Sequence, residues 1–173
     1  ETKAVYNSNE NKDLYANAVS SYLNGNHSQS TENLKILIEK NNENPFFKEL
    51  IGEIYFVNHE YNQAIYYQND AMNKPKTENE IYMMMLGNYL LSTEELGKVN
   101  ESISYLKKSI QINSRNAYSW YLLAKAYAFT DKISFANYAT AERYFISGEK
   151  FLSYDFALKA IKEIEENTPE WYR

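Results

Sequence analysis

Small residues recur along the chain in two linked series, and this recurrence constrains the fold more than any other feature. The first series is Ala18, Gly52, Gly87 and Ala124, and the second is Ser30, Ala64, Ser102 and Ala136. Each member of the first precedes its partner by 12 or 15 residues, and members of the second lie 34, 38 and 34 residues apart. Helix axes approach below the usual distance of about 8–10 Å only where small side chains face each other. The spacing therefore predicts stacked helical hairpins, each closed at a pair of small residues.

Apolar residues around these pairs recur every three or four positions, which predicts amphipathic helices. Short polar turns at 24–26 and 58–60 separate the two helices of a hairpin, and longer joints at 41–45, 73–77 and 113–116 separate hairpins. These joints are rich in Asn and other helix-stopping residues. The third hairpin differs, because residues 93–100 place about three extra residues in its turn.

The pattern predicts an all-α fold of about nine antiparallel helices, four pairs followed by a C-terminal capping helix. Residues 134–147 can either close the fourth repeat or open a fifth. Residues 1–11 show no periodicity and are expected to be a linker or a frayed end, so that the domain spans 12–173. The expected repeats are 11–44, 45–78, 80–116 and 117–148, with a terminal helix at 151–166.

The repeat resembles the tetratricopeptide repeat (TPR), and the best-matching set is Trp120, Leu123, Ala124, Tyr127 and Ala136. Departures are Ser30 and Ser102 where the motif usually has Ala, and Ser114 or Asn42 where it often has Pro. The resemblance implies a right-handed superhelical solenoid that acts as a non-catalytic scaffold for protein partners. It also implies a concave groove lined by first-helix residues about one turn from the small positions.

The groove so predicted combines rigid aromatic side chains with a few charges, a composition suited to a protein or peptide partner. Its residues are Tyr15, Val19, Tyr22, Phe46, Glu49, Glu53, Phe56, Met84, Asn88, Tyr118, Tyr121, Lys125 and Phe129.

A narrower resemblance covers most of the chain, through NPFFKELIGEIYF at 44–56, the long third turn, AERYFISGEK at 141–150 and the later ENTPEW. It is similar to the repeat region that follows the catalytic domain in bacterial periplasmic HExxH zinc metallopeptidases, which are proteases and chaperones of outer-membrane assembly. This implies a periplasmic parent protein, with its own protease domain or the envelope-assembly machinery as partners. The alternative is a free-standing TPR adaptor without a protease domain, either a cytoplasmic regulator or an outer-membrane lipoprotein.

The sequence contains no complete catalytic or cofactor motif. A zinc protease helix needs two His one turn apart, whereas the nearest string begins at His59 and has Gln63 in the second position. The five glycines are never closer than ten residues, which excludes a phosphate-binding glycine loop. We therefore expect no catalytic residue, no metal site and no cofactor.

Charge and hydropathy exclude further classes. A net charge of −5 and a pI near 5.2 disfavour nucleic acid as a partner. The longest apolar stretch, residues 81–91, is too short for a membrane span. The chain has no cysteine, which fits a reducing cytoplasm or a periplasm. With 17 Tyr, self-association through exposed aromatics stays open as a route to a homo-oligomer.

Overall fold

The structure, a computed structural model, describes residues 2–73, 80–162 and 164, with side chains from residue 10 onward. In these ranges the chain forms nine α-helices and no strand, which confirms the all-α prediction. The helices are α1 (Thr2–Leu23), α2 (His27–Lys40), α3 (Pro45–Val57), α4 (Tyr61–Met72), α5 (Glu80–Ser92), α6 (Leu96–Ile112), α7 (Ala117–Phe129), α8 (Ile133–Ile146) and α9 (Lys150–Ala160).

The helices belong to two compact units that divide between residues 77 and 78. The first unit contains α1–α4 and has a core that includes Leu34, Leu37 and Ile51. The second contains α5–α9 and has a core that includes Leu106 and Trp120. Because each hairpin of a repeat array contacts only its sequence neighbours, such an array can divide at a joint between hairpins without losing either core.

Two hairpins close at glycine, as the small-residue series predicts. A Cβ added to Gly52 would lie 3.4 Å from the carbonyl oxygen of the fully buried Ala64, an ordinary van der Waals contact. A Cβ added to Gly87 would lie 2.7 Å from the side chain of Leu106. The absent side chain of Gly87 therefore leaves room for Leu106, while the Gly52 site is close enough to favour a small residue.

The two serines that depart from the TPR pattern form hydrogen bonds between helices. The Ser30 hydroxyl donates to the carbonyl oxygen of Ala18 at 2.7 Å, and the Ser102 hydroxyl donates to that of Gly87 at 2.6 Å. Both serines are fully buried. A buried hydroxyl must find a partner, and these two find it at the pairs of small residues that the sequence predicts.

Asparagine in the joints starts helices as well as ending them. The side chains of Asn26, Asn44 and Asn116 each accept a hydrogen bond from a backbone N–H in the first turn of α2, α3 and α7. Asn116 accepts two, from Tyr118 and Ser119, both at 3.1 Å. These N-caps satisfy donors that a helix start leaves open, and they fix where each following helix begins.

Five turns share one backbone feature. A residue with positive φ follows α1, α3, α5, α7 and α8, namely Gly25, His59, Glu94, Asp131 and Gly148, a common way to end a helix. The turn between α8 and α9 therefore has the same form as the turns within hairpins, and α8 packs against both α7 and α9.

The expectation of a linker at residues 1–11 is corrected by α1, which begins at Thr2. Its sequence from 2 to 23 contains neither Gly nor Pro, so the hydrogen-bond ladder can extend outward from the packed segment around Ala18. An ion pair between Lys40 of α2 and Glu10, with Nζ and Oε1 2.9 Å apart, holds part of this extension against the hairpin.

The extra residues of the third hairpin lengthen a helix and not the turn. This corrects the prediction that residues 93–100 form a longer turn. Only residues 93–95 separate α5 from α6, and α6 is 17 residues long. Val99, within the inserted stretch, is fully buried, so the added residues continue the apolar stripe of α6. At the other end of the chain α9 ends at Ala160 and residues 161–162 form a turn, so the helix expected over 151–166 ends earlier than predicted. Residues 163 and 165–173, which include ENTPEW, lie outside the described residues.

Candidate polypeptide-binding surfaces

All thirteen predicted groove residues lie in the described part of the chain, and none of their side chains is buried. They form two sets, one in each unit. The first-unit surface comprises Tyr15, Val19 and Tyr22 of α1 with Phe46, Glu49, Glu53 and Phe56 of α3. The second-unit surface comprises Met84 and Asn88 of α5 with Tyr118, Tyr121, Lys125 and Phe129 of α7.

Each surface runs beside a buried stripe on the same helices. Ala18 and Ile51 are fully buried in the first unit, and Trp120 and Leu123 are 2% exposed in the second. An α-helix presents residues three and four apart on one face, so the packed stripe leaves the neighbouring face open. That register leaves the predicted residues half-buried or exposed, and Tyr15, Tyr22, Met84 and Tyr121 also pack against the cores.

The first-unit surface is acidic and joined internally across two helices. The Tyr22 hydroxyl of α1 donates to the Glu53 carboxylate of α3 at 2.8 Å. Burial, this hydrogen bond and the charge of Glu53 together raise the pKa of Tyr22 to about 12. Burial, and then the negative charge of Glu49, raise the pKa of Tyr15. Both phenols therefore stay neutral hydrogen-bond donors over the physiological range.

Other parts of the first-unit surface are apolar. The rings of Tyr15 and Phe47 pack with centroids 5.3 Å apart, while Phe46 projects outward with 60% of its surface exposed. A shallow depression on α1 is lined by Tyr15 and Val19 together with Lys12 and Leu23. This surface offers apolar area, but its central polar groups already bind each other.

The second-unit surface centres on Tyr121. Its ring stacks on that of Tyr118 with centroids 5.7 Å apart. Two cations approach the same ring, the Lys125 ammonium at 5.8 Å and the Arg143 guanidinium at 5.0 Å from the centroid. Cations over an aromatic face are attracted by the ring quadrupole, so the aromatic character of this surface is coupled to positive charge.

Arg143 belongs to α8, the second helix of its hairpin. It was not among the predicted residues, because the predicted groove contained only first-helix residues. Its guanidinium lies over both the Tyr121 and the Tyr144 rings, 5.0 and 5.2 Å from their centroids. Together with Ala117, Tyr118 and Ser147 it lines a shallow depression. The sequence could have indicated this contact. Tyr121 and Arg143 are about equally far from the turn at Asp131, so they face each other in an antiparallel hairpin.

The row of rings and cations continues onto α9. Tyr144 stacks on Phe156 with centroids 5.7 Å apart, and the Lys159 ammonium lies 4.6 Å from the centroid of Phe156. Three helices of the second unit thus contribute to one connected series of aromatic and basic side chains.

The remaining residues of the second-unit surface are Met84, Asn88 and Phe129. The Asn116 amide, 3.6 Å from Met84 Sδ, donates to that sulfur, so the cap of α7 contacts the predicted surface. Asn88 is half-buried, and Phe129 at the end of α7 is 45% exposed. Phe129 lies two helical turns beyond Tyr121, at the far end of the exposed stripe of α7.

Both histidines lie at turns of the first unit and have protein partners. His27 Nδ1 lies 2.6 Å from Asn58 Oδ1, and His59 Nδ1 lies 2.9 Å from the Tyr61 hydroxyl. Over residues 2–73, 80–162 and 164, no three His, Asp or Glu side chains are grouped closely enough to hold a metal ion. Over the same stretches none of the helices has the length and apolar character needed to cross a bilayer.

Comparison with known proteins identifies the fold. The chain matches no protein-family model and no curated protein. Among solved structures it is similar to a MamA double mutant (RS-1 ArsTM), with a TM-score of 0.75 and 13% identity over 90% of this chain and 85% of that one. It is also similar to TTC0263, a thermophilic TPR protein of Thermus thermophilus, with a TM-score of 0.59 and 15% identity over 94% and 96% of the two chains.

A third similar structure is YrrB, described as a TPR protein with an unusual peptide-binding site. Its TM-score is 0.62, with 15% identity over 99% of this chain and 95% of that one. At these identities the comparisons show the fold alone. This chain therefore has the helical-repeat fold of TPR proteins, as the small-residue series predicts.

Proposed function

We propose that this chain is a non-catalytic protein-interaction module that binds polypeptide through the first-unit and second-unit surfaces. The observation that carries the proposal is the row of half-buried and exposed aromatic side chains beside the buried stripe of the same helices. Tyr15 and Tyr121 pack against the two cores but are only partly buried, and Phe46 of α3 and Phe129 of α7 are exposed.

The composition of the two surfaces supports polypeptide as the ligand. Large rigid rings bury much apolar area at low entropic cost, and Tyr and Arg are enriched among the residues that dominate protein interfaces. Both residue types meet in the second-unit surface and beside it, at Tyr118, Tyr121 and Arg143. The peptide-binding site named for YrrB shows that this fold can hold such a ligand, although it assigns no residue here.

For the biological context we propose the repeat region of a periplasmic zinc metalloprotease and chaperone. The support is the sequence resemblance at 44–56 and 141–150, and the partners would be its own protease domain or envelope-assembly proteins. A free-standing TPR adaptor, cytoplasmic or a lipoprotein, is the competing proposal. The complete reading frame distinguishes the two, since an HExxH motif before Glu1 supports the first and a complete frame without one refutes it.

The binding role is tested by separating the exposed stripe of α7 from its buried stripe. We expect Tyr121→Ala with Phe129→Ala to keep the melting temperature close to that of the parent and to weaken capture of a purified partner. Interface aromatics can each contribute about 2 kcal/mol to binding. Tyr66→Ala is the matched control, because Tyr66 is an exposed aromatic of α4, a second helix.

Paired thermal melts and pull-downs decide the outcome. If the double variant melts as low as Trp120→Ala, its side chains belong to the core and the proposed surface is wrong. If it is stable but binds as well as the Tyr66 control, α7 does not contact the partner.

A further inference from the structure

The environment of Arg143 leaves its hydrogen-bonding edge open. The rings of Tyr121 and Tyr144 lie 5.0 and 5.2 Å from the guanidinium carbon. A guanidinium that stacks on aromatic faces still has its five N–H donors available in its plane. The ion pairs among the described residues do not include Arg143. The contacts made by this side chain therefore fix its orientation without using its donors.

A second donor lies beside it. Ser147 lines the same depression, one helical turn after Arg143, and its backbone N–H donates to the Arg143 carbonyl oxygen at 3.1 Å. Its side chain is exposed. The walls opposite are Tyr118 and Tyr121, stacked on each other. The depression thus combines a cation, a hydroxyl and an aromatic wall.

The positive charge is local to the depression itself, which Arg143 lines. Residues 117–173 contain seven Lys or Arg and eight Asp or Glu, and the net charge of the protein is −5. Lys125 over Tyr121 adds to the positive potential at the site. An anionic group is attracted to this part of the second unit although the protein as a whole is acidic.

We propose that the depression at Tyr118, Tyr121, Arg143 and Ser147 binds the side-chain carboxylate of an acidic residue in a partner polypeptide. Arg143 would hold the carboxylate with two parallel N–H donors, the bidentate arrangement that the planar guanidinium favours. The neighbouring tyrosines would cover an aromatic or apolar residue next to the acidic one. This inference rests on the proposed function and names the chemical class of the ligand at one of its surfaces.

The experiment uses two labelled peptides with blocked ends, one alternating Glu and Phe and one with every Glu replaced by Gln. Fluorescence anisotropy measures their binding to the parent chain and to Arg143→Gln, Arg143→Lys and Lys132→Gln. Lys132 is exposed at the opposite end of the α7–α8 hairpin, so its variant loses the same charge away from the site. Thermal melts check that each variant is folded.

We expect the parent to bind the Glu peptide at least about tenfold more tightly than the Gln peptide, since charge-assisted bonds are the stronger kind. Arg143→Gln should abolish this preference, Arg143→Lys should keep part of it because it keeps the charge, and Lys132→Gln should behave as the parent. Added salt should weaken the binding of the Glu peptide and have little effect on the binding of the Gln peptide.

Equal binding of the two peptides to the parent would overturn the carboxylate site and leave polypeptide binding standing. An unchanged preference in Arg143→Gln, or an equal loss in Lys132→Gln, would also overturn it, the second by showing that net charge alone is responsible. Binding of neither peptide would refute both this inference and the second-unit surface as a polypeptide site.

Discussion

The first-unit and second-unit surfaces use the same scaffold positions but have opposite charge. In the first unit the phenols lie beside carboxylates, and Tyr22 donates to Glu53 at 2.8 Å. In the second unit the ring of Tyr121 lies beside two cations, Lys125 and Arg143. The first surface has its central polar groups bound to each other, while Arg143 beside the second forms no ion pair with any residue that the structure describes.

This difference bears on where binding energy can come from. A ligand that approaches Tyr22 and Glu53 must replace an existing hydrogen bond, so the net gain is small. A carboxylate that approaches Arg143 meets a side chain already held in place by two rings, which lowers the entropic cost of binding. The repeat therefore supplies equivalent positions, and charge makes the two units different in specificity.

The largest expected effect removes the second-unit surface as a whole. Trp120 is 2% exposed, its indole N–H donates to the Ser114 carbonyl oxygen at 2.9 Å, and its ring meets Tyr138 edge-on. Trp120→Ala should cost about 3–5 kcal/mol through the cavity that it leaves. Hydrogen exchange should show protection lost in α7 and α8 and retained in the first unit.

The control for that experiment is Tyr154→Ala, since Tyr154 is 66% exposed on α9. Equal loss of protection in both units after Trp120→Ala would mean that they unfold together, and the two surfaces could not then be perturbed separately.

A change of intermediate size acts on the first unit. Ala64 is fully buried, and its carbonyl oxygen is 3.4 Å from where a Gly52 Cβ would stand. Ala64→Leu should destabilise the first unit by about 1–3 kcal/mol through overpacking, while the second unit still binds the Glu and Phe peptide. Differential scanning calorimetry measures this against Ala157→Leu, an exposed position of α9. Equal melting temperatures for the two variants would mean that the assigned pairing of helices is wrong.

The smallest expected effect tests whether the acidic first-unit surface keeps Tyr22 protonated. The pKa of Tyr22 is raised to about 12 in the folded chain, above the value of about 10 expected when unfolded. The stabilisation linked to its proton is therefore complete below about pH 10 and is lost as the pH rises toward 12. Between about pH 10 and 12, the free energy of unfolding measured by urea titration should fall less for Tyr22→Phe than for the parent. The control Tyr154→Phe should follow the parent, and the account fails if Tyr22→Phe does so too.

Much of the fold could be predicted because close helix packing leaves a clear pattern in sequence. Gly52 with Ala64 and Gly87 with Ser102 lie 12 and 15 residues apart, where two antiparallel helices face each other and small residues pack best. The same register predicted that the thirteen surface residues lie outside the buried stripes, and none of them is buried, although their role in binding stays a prediction.

Other features could not be predicted because they depend on partners distant in sequence. Lys48 lies on a buried face of α3 with 3% exposure, where its 2.7 Å ion pair with Asp70 of α4 makes burial tolerable. Arg143 was not predicted because the predicted groove contained only first-helix residues, and Arg143 lies near the C-terminal end of α8, a second helix.

The most direct test of the account is a backbone NMR titration of the chain with the Glu and Phe peptide. We predict that chemical-shift changes concentrate in α7 and the C-terminal half of α8, around Tyr118, Tyr121 and Arg143, and that they are small around Tyr22 and Glu53. Changes confined to the first unit, or centred on the exposed apolar side chains of α9, would contradict the account.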